Sequence, residues 1–133
     1  MRKRYFRTAV ACVALCLSLA VCGVVQARKT SGGRQKQVVV NTTESGKDIK
    51  GFKGPVPVEV TFVGGKITKV TVLPNHETPR FLQRAVGSGL LEQWNGLTAK
   101  QAAVKEVDAV SGATYSSRAI IENVRVAARQ MKK

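Results

Sequence analysis

Val56-Pro57-Val58-Glu59-Val60-Thr61-Phe62-Val63-Gly64-Gly65-Lys66-Ile67-Thr68-Lys69-Val70-Thr71-Val72-Leu73 is the stretch on which the fold turns. Val56, Val58, Val60 and Phe62 alternate with Pro57, Glu59, Thr61 and Val63, the period-two pattern of a strand with one buried face. Pro57 lacks a backbone donor, which places it at a sheet edge or at the start of the strand. Gly64-Gly65 reads as a tight hairpin turn, after which Lys66 to Leu73 returns as a second strand. Ile67 is out of phase with Val70 and Val72, and a bulge near Thr68-Lys69 repairs the register.

Before the hairpin, Val38 to Val40 begins a short strand, and Gly46 to Gly54 is polar, glycine-punctuated and rich in turns. After it, Pro74 to Pro79 reads as a loop, and Phe81, Leu82, Ala85 and Val86 recur at helical spacing. Gly87-Ser88-Gly89 interrupts that helix, while Leu90, Leu91 and Trp94 continue its apolar face as far as Asn95-Gly96. Thr98 caps a short helix reaching Val104, and Glu106-Val107-Asp108 reads as a brief strand. From Ser116 onward, Ala119, Ile120, Val124, Ala127, Ala128 and Met131 share one helical face, with Arg125, Arg129 and Gln130 elsewhere. Trp94 and Phe81 read as core. The expected fold is α+β: a small single domain with a β-hairpin-based antiparallel sheet packed by helices.

That domain is expected over residues 51–133, behind a basic linker and lead-in at 28–50 and an apolar segment at 1–27. Arg2, Lys3, Arg4 and Arg7 precede a nearly unbroken apolar run, Ala9 to Val25, and Val25-Gln26-Ala27 offers a small-residue cleavage site. This is the order of a secretory signal peptide cut after Ala27. The run is also long enough for a membrane anchor. Arg28 and Lys29 disfavour cleavage, and the flanking basic residues are too balanced to orient an anchor. Lipidation at Cys22 is a third alternative, weakened by Val21 where a small residue is wanted. In each case the domain is extracytoplasmic, in the periplasm or cell envelope.

Cys12, Cys16 and Cys22 all lie in the apolar segment. The exported part therefore has no thiol for a disulfide, an iron–sulfur cluster or a thiolate zinc site. His76 is the sole histidine, so no all-protein metal site is expected, and redox chemistry here needs an organic cofactor. The net charge is +14, and removing the four basic residues before Ala27 leaves +10. Such a surface attracts anionic lipid, polyanions or acidic proteins. Nucleic acid is not expected, because aromatics are scarce, no binding motif is recognisable and the chain is exported.

Asp108-Ala109-Val110-Ser111-Gly112-Ala113-Thr114 presents a hydroxyl at a helix entrance, behind two residues with almost no side chain and with an acid six positions upstream. A phosphate esterified there is stabilised by unpaired backbone N–H groups and the positive end of the helix dipole. Gly112 and Ala113 let a bulky group reach the backbone, and Asp108 could hold a cation or orient the acceptor. The plain alternative is a polar turn in which Ser111, Thr114 or Ser116 is the N-cap. Arg118, one turn after Thr114, could pair with a phosphate or stay solvated. Tyr115 adjoins the attachment point and is the aromatic placed to touch a bound ring.

The pattern Asp108-x-x-Ser111-Gly112-Ala113-Thr114 resembles the flavinylation motif of the FMN-binding domain family. The resemblance continues in Gly51 to Pro55, in the Val-rich pair around Gly64-Gly65 and in Asn75-His76-Glu77-Thr78-Pro79, covering about Gly51 to the C-terminus. It implies that Thr114 accepts FMN through a phosphoester bond, installed by a separate flavin transferase. It also implies that the loop of His76, Glu77 and Thr78 lies in the flavin region. The family usually has glycine after its Thr-Pro, where this chain has Arg80, which could close the pocket or bring a positive charge near the flavin. Related domains serve in membrane electron-transport complexes such as sodium-pumping NADH:quinone reductase.

The implied function is an extracytoplasmic electron carrier that relays electrons between membrane redox partner proteins and transforms no substrate itself. Two alternatives stand beside it. One is a module binding FMN or another anion noncovalently at the same helix entrance. The other is a basic surface-binding protein in which the motif is fortuitous.

Overall fold

β2 (Val58–Val63) is the middle strand of a three-stranded antiparallel sheet, with β1 (Gln37–Asn41) on one side and β3 (Lys66–Val72) on the other. The structure is a computed structural model that describes residues 34–132. The expected signal or anchor segment and the first part of the basic linker lie outside the described residues. Val56, Val58, Val60 and Phe62 are fully buried, while Glu59, Thr61 and Val63 are half-buried. Burying a Val or Phe side chain contributes about 1.5–3 kcal/mol, so the alternation in β2 seats the core. Pro57 directly precedes the strand, and its carbonyl accepts from the Leu73 N–H at 2.9 Å.

The hairpin closes through Gly64 at φ 59° and Gly65 at φ 80°, the positive pair that a type I′ turn requires and that suits the right-handed strand twist. Beyond the turn, Phe62 pairs with Ile67 and Thr61 with Lys69. Thr68 is thus the extra residue of a bulge, and its hydroxyl donates to the Thr61 carbonyl at 3.3 Å. The bulge lets Ile67 and Val70 both reach the core.

Asn41 pairs with Glu59 at the end of β1, and the next residue extends that contact by a side chain. The buried Thr42 hydroxyl accepts from the Val58 N–H at 2.9 Å and donates to the Val58 carbonyl at 3.1 Å.

Three α-helices and a 3₁₀ turn complete the domain: α1 (Pro79–Gly87), the turn at Leu91–Trp94, α2 (Ala99–Val104) and α3 (Thr114–Met131). α3 packs on β1 and β2 and also meets α1 and α2. Its buried face is Ala119, Ile120, Val124, Ala127 and Ala128, with the alanines allowing close approach of the helix backbone. Asn123 is buried on the same helix, and its Nδ2 donates to the Val56 carbonyl at 3.0 Å and the Ala119 carbonyl at 2.9 Å. Trp94 is fully buried. None of the helices among the described residues is long and apolar enough to cross a membrane.

Thr98 caps α2 through a reciprocal pair with Gln101, in which each side chain accepts from the other's backbone N–H. Two local expectations differ from the structure. Glu106-Val107-Asp108 is not a strand: it pairs with no strand of the sheet, and the carbonyl before it, at Lys105, accepts from Arg125 Nη2 at 3.2 Å. The last helix begins at Thr114 with Ala113 as its N-cap, not Ser111, Thr114 or Ser116, and no side chain caps it.

Candidate functional site

The loop from Val110 to Ala113 turns the chain into α3. Ala113 N–H donates to the Val110 carbonyl at 2.9 Å, which closes a turn whose third residue, Gly112, has φ 77°. That conformation is nearly free for glycine and strained for any other residue. Val110 N–H in turn donates to the buried Ser117 hydroxyl at 3.1 Å, pinning the loop to the helix that it opens.

α3 therefore starts with its first N–H groups uncapped by any side chain, although an 18-residue helix carries a full macrodipole. Thr114 is its first residue and is half-buried. Two residues on, Ser116 is 1 % exposed, and its hydroxyl has no hydrogen-bond partner. A buried hydroxyl left without a partner costs about 1–3 kcal/mol. Such a group beside a helix start that lacks a cap is free to bond an acceptor or donor from outside the chain.

Gly112, Ala113, Thr114, Tyr115 and Ser116 form one side of a cleft of about 270 Å³, and Phe52 and Phe81 form the other. Phe52 and Tyr115 are 58 % and 64 % exposed, large values for aromatic side chains. The Phe52 ring meets Phe81 edge to face at 5.5 Å and lies 6.3 Å from Tyr115. Aromatic side chains thus share one cleft with the helix start.

Phe52 is held in place by Glu77. The Glu77 carboxylate is buried and accepts from the N–H groups of Phe52 at 2.6 Å, Lys53 at 3.1 Å and Thr78 at 2.9 Å. Gly51 passes so close that a Cβ there would collide with the carboxylate. The loop is further set by Asn75, whose Oδ1 accepts from the Glu77 N–H at 2.9 Å. Glu77 thus joins the Gly51–Gly54 loop to the start of α1, where Thr78 is the N-cap. The Thr78 hydroxyl is buried and unpartnered.

The structure gathers Thr114, Gly112, Ala113 and Tyr115 at one cleft, and Glu77 acts on that cleft through Phe52. Ser111 is exposed at the turn, and His76 is exposed in its loop. Asp108 is exposed and faces two neighbouring clefts, one of which it shares with Arg118, Glu122 and Arg125. Neither Asp108 nor Arg118 lines the Thr114 cleft. Sequence reasoning missed Ser116 and Ser117 as site residues because two serines in a helix start look like ordinary surface. Phe52 was missed because it sits in a polar, glycine-rich loop, although an isolated aromatic in such a loop is itself a signal. Phe81, read as core, is half-buried and forms a wall of the cleft.

No curated protein matches the chain. A family model described as FMN-binding domain matches residues 51–129. The match takes in the Gly51–Gly54 loop, the Glu77 staple, the hairpin and the whole turn into α3, and the chain belongs to the FMN-binding domain family.

Proposed function

We propose that the chain is an extracytoplasmic electron carrier whose FMN is esterified through its phosphate to the Thr114 hydroxyl. The observation that carries this reading is the position of Thr114. It opens a long uncapped helix in a cleft that also holds the orphaned Ser116 hydroxyl. The residues fit the group. Backbone N–H groups and the helix dipole favour a phosphate, Gly112 adds no side chain to the cleft that it lines, and Phe52, Phe81 and Tyr115 offer faces and edges to an aromatic ring. A cleft of about 270 Å³ is smaller than pockets that enclose a whole ligand of this size. A covalent tether keeps a partly exposed cofactor in place where it could not be replaced.

FMN, when bound, supplies one- and two-electron transfer. The chain's own residues would hold and orient it: the helix start and Ser116 would face the phosphate, Glu77 fixes Phe52, and Tyr115 stands at the cleft. The Thr114 hydroxyl attacks the flavin-side phosphorus of a flavin–nucleotide phosphoanhydride. As the Oγ–P bond forms, the anhydride P–O bond breaks, the nucleoside monophosphate leaves with the electron pair, and the hydroxyl proton passes to a base of the flavin transferase. The step involves neither oxidation nor reduction. Membrane redox proteins then exchange electrons with the carrier, and its excess of basic groups favours acidic docking faces on them.

Noncovalent FMN binding is the second reading, favoured by the position of Asp108 away from the Thr114 cleft. The full chain, co-produced with a flavin transferase in an export-competent host, separates the two. An intact mass raised by one FMN less water, with yellow fluorescence surviving denaturing electrophoresis, supports the ester. Flavin lost on denaturation leaves the noncovalent module.

A further inference from the structure

Gly112 lacks a Cβ, and the space that a Cβ would occupy is filled by the Arg84 guanidinium. Arg84 lies in the last turn of α1, a separate element brought against the motif by the packing of α1 on α3. Among the described residues it forms no ion pair. Its charge is therefore held against the backbone two residues before Thr114 without a carboxylate to neutralise it. Two arginines of α3 are differently placed. Arg125 pairs with Glu122 and with the Lys105 carbonyl, and Arg118 faces the cleft shared with Asp108.

We infer that Arg84 reads the phosphate of the flavin, and so makes the site select a phosphorylated flavin over one without phosphate. This deepens the reading given above and rests on the FMN phosphate lying at the Thr114 turn, whether esterified or free. Arg84 lies behind the cleft wall at Gly112 and is not itself part of the lining, and three kinds of donor then stand at or beside the turn: N–H groups of the uncapped helix start, the buried Ser116 hydroxyl, and a guanidinium from α1. A guanidinium offers a planar fork that matches phosphate oxygens two at a time. Glycine at position 112 serves both neighbours, because it adopts φ 77° without strain and leaves room for the cation.

The test is a cycle of two ligands and three proteins. The full chain, produced without a flavin transferase, is titrated with FMN and with riboflavin, following the quenching of flavin fluorescence, for wild type, Arg84→Ala and Arg84→Lys. Wild type is expected to prefer FMN, and Arg84→Ala to lose that preference by roughly tenfold, the scale of one charge-assisted hydrogen bond. Riboflavin affinity should be unchanged, which also reports an intact fold. Arg84→Lys should recover part of the loss, and the difference should shrink as salt is added because Arg84 is exposed. An FMN preference equal in wild type and Arg84→Ala overturns the inference while leaving the ester reading standing. A wild type that shows the preference yet accepts no covalent flavin overturns the ester reading alone. If neither flavin binds measurably, loading by the transferase decides, and Arg84→Ala loaded at the wild-type rate overturns the inference.

Discussion

The Glu77 carboxylate holds Phe52 from below, its Oε2 accepting the Phe52 N–H at 2.6 Å across 25 residues of chain. A buried anion here satisfies three backbone N–H groups in two loops at once, and the reward is a fixed aromatic wall beside Thr114. Removing the carboxylate leaves those part-buried donors without their partner, and an orphaned donor costs about 1–3 kcal/mol where water does not reach it. Glu77→Ala should therefore destabilise the domain by roughly 2–4 kcal/mol, with part of the loss relieved by water entering the loop. Glu77→Gln, which keeps an acceptor oxygen, should lose less. Hydrogen exchange checks the cause: the Phe52 and Lys53 amides should lose protection first. Unchanged protection in Glu77→Ala would show that the loop is held by something else.

Gly112 tests the turn itself. Gly112→Ala sets a side chain at φ 77° and displaces the Arg84 guanidinium, so a cost of about 1–2 kcal/mol is expected from the backbone alone. Gly112→Val adds bulk at the approach to Thr114 and should abolish flavin loading. Thermal unfolding and flavin stoichiometry report the two effects separately. A fully loaded Gly112→Val would remove the argument for an open approach.

Thr114 carries the chemistry. Thr114→Ala should lose all covalent flavin while unfolding within about 1 kcal/mol of wild type, since the residue caps nothing and the N-cap is Ala113. Thr114→Ser keeps a nucleophilic hydroxyl and should retain part of the loading. Peptide mapping by mass spectrometry locates the adduct. Covalent flavin on Thr114→Ala at wild-type level would move the attachment site elsewhere.

The hairpin could be read from residues alone because the alternation of Val58, Val60 and Phe62, the Gly64-Gly65 turn and the phase slip at Ile67 are local signals, and each has a local structural consequence. The N-cap of α3 is not legible for the same reason: Ala113 has no capping side chain, so nothing in the local chemistry marks the boundary. Thr114, Gly112 and Tyr115 were found because the motif is contiguous. The Glu77–Phe52 and Arg84–Gly112 relationships each join segments about 25 residues apart or more, and no periodicity signals a pair of that kind. Thr42 and Asn123 were likewise invisible, being polar residues whose burial depends on the backbone groups of Val58 and Val56 that they satisfy.

Ser116 separates a structural hydroxyl from one kept for a ligand. Its Oγ is buried and unpartnered beside the helix start, so in the flavin-free protein it is a standing cost. Ser116→Ala removes that cost and replaces serine with a better helix former. The flavin-free variant should be more stable than wild type by about 0.5–1 kcal/mol, a rise of a few degrees in Tm for a domain of this size. With flavin attached the sign should reverse, because wild type gains a phosphate acceptor that alanine cannot meet. Tm measured for both proteins, with and without flavin, gives the coupling directly. A flavin-free Ser116→Ala that unfolds at lower temperature than wild type would mean that an ordered water already satisfies the hydroxyl, and Ser116 would then be a structural residue with no claim on the phosphate.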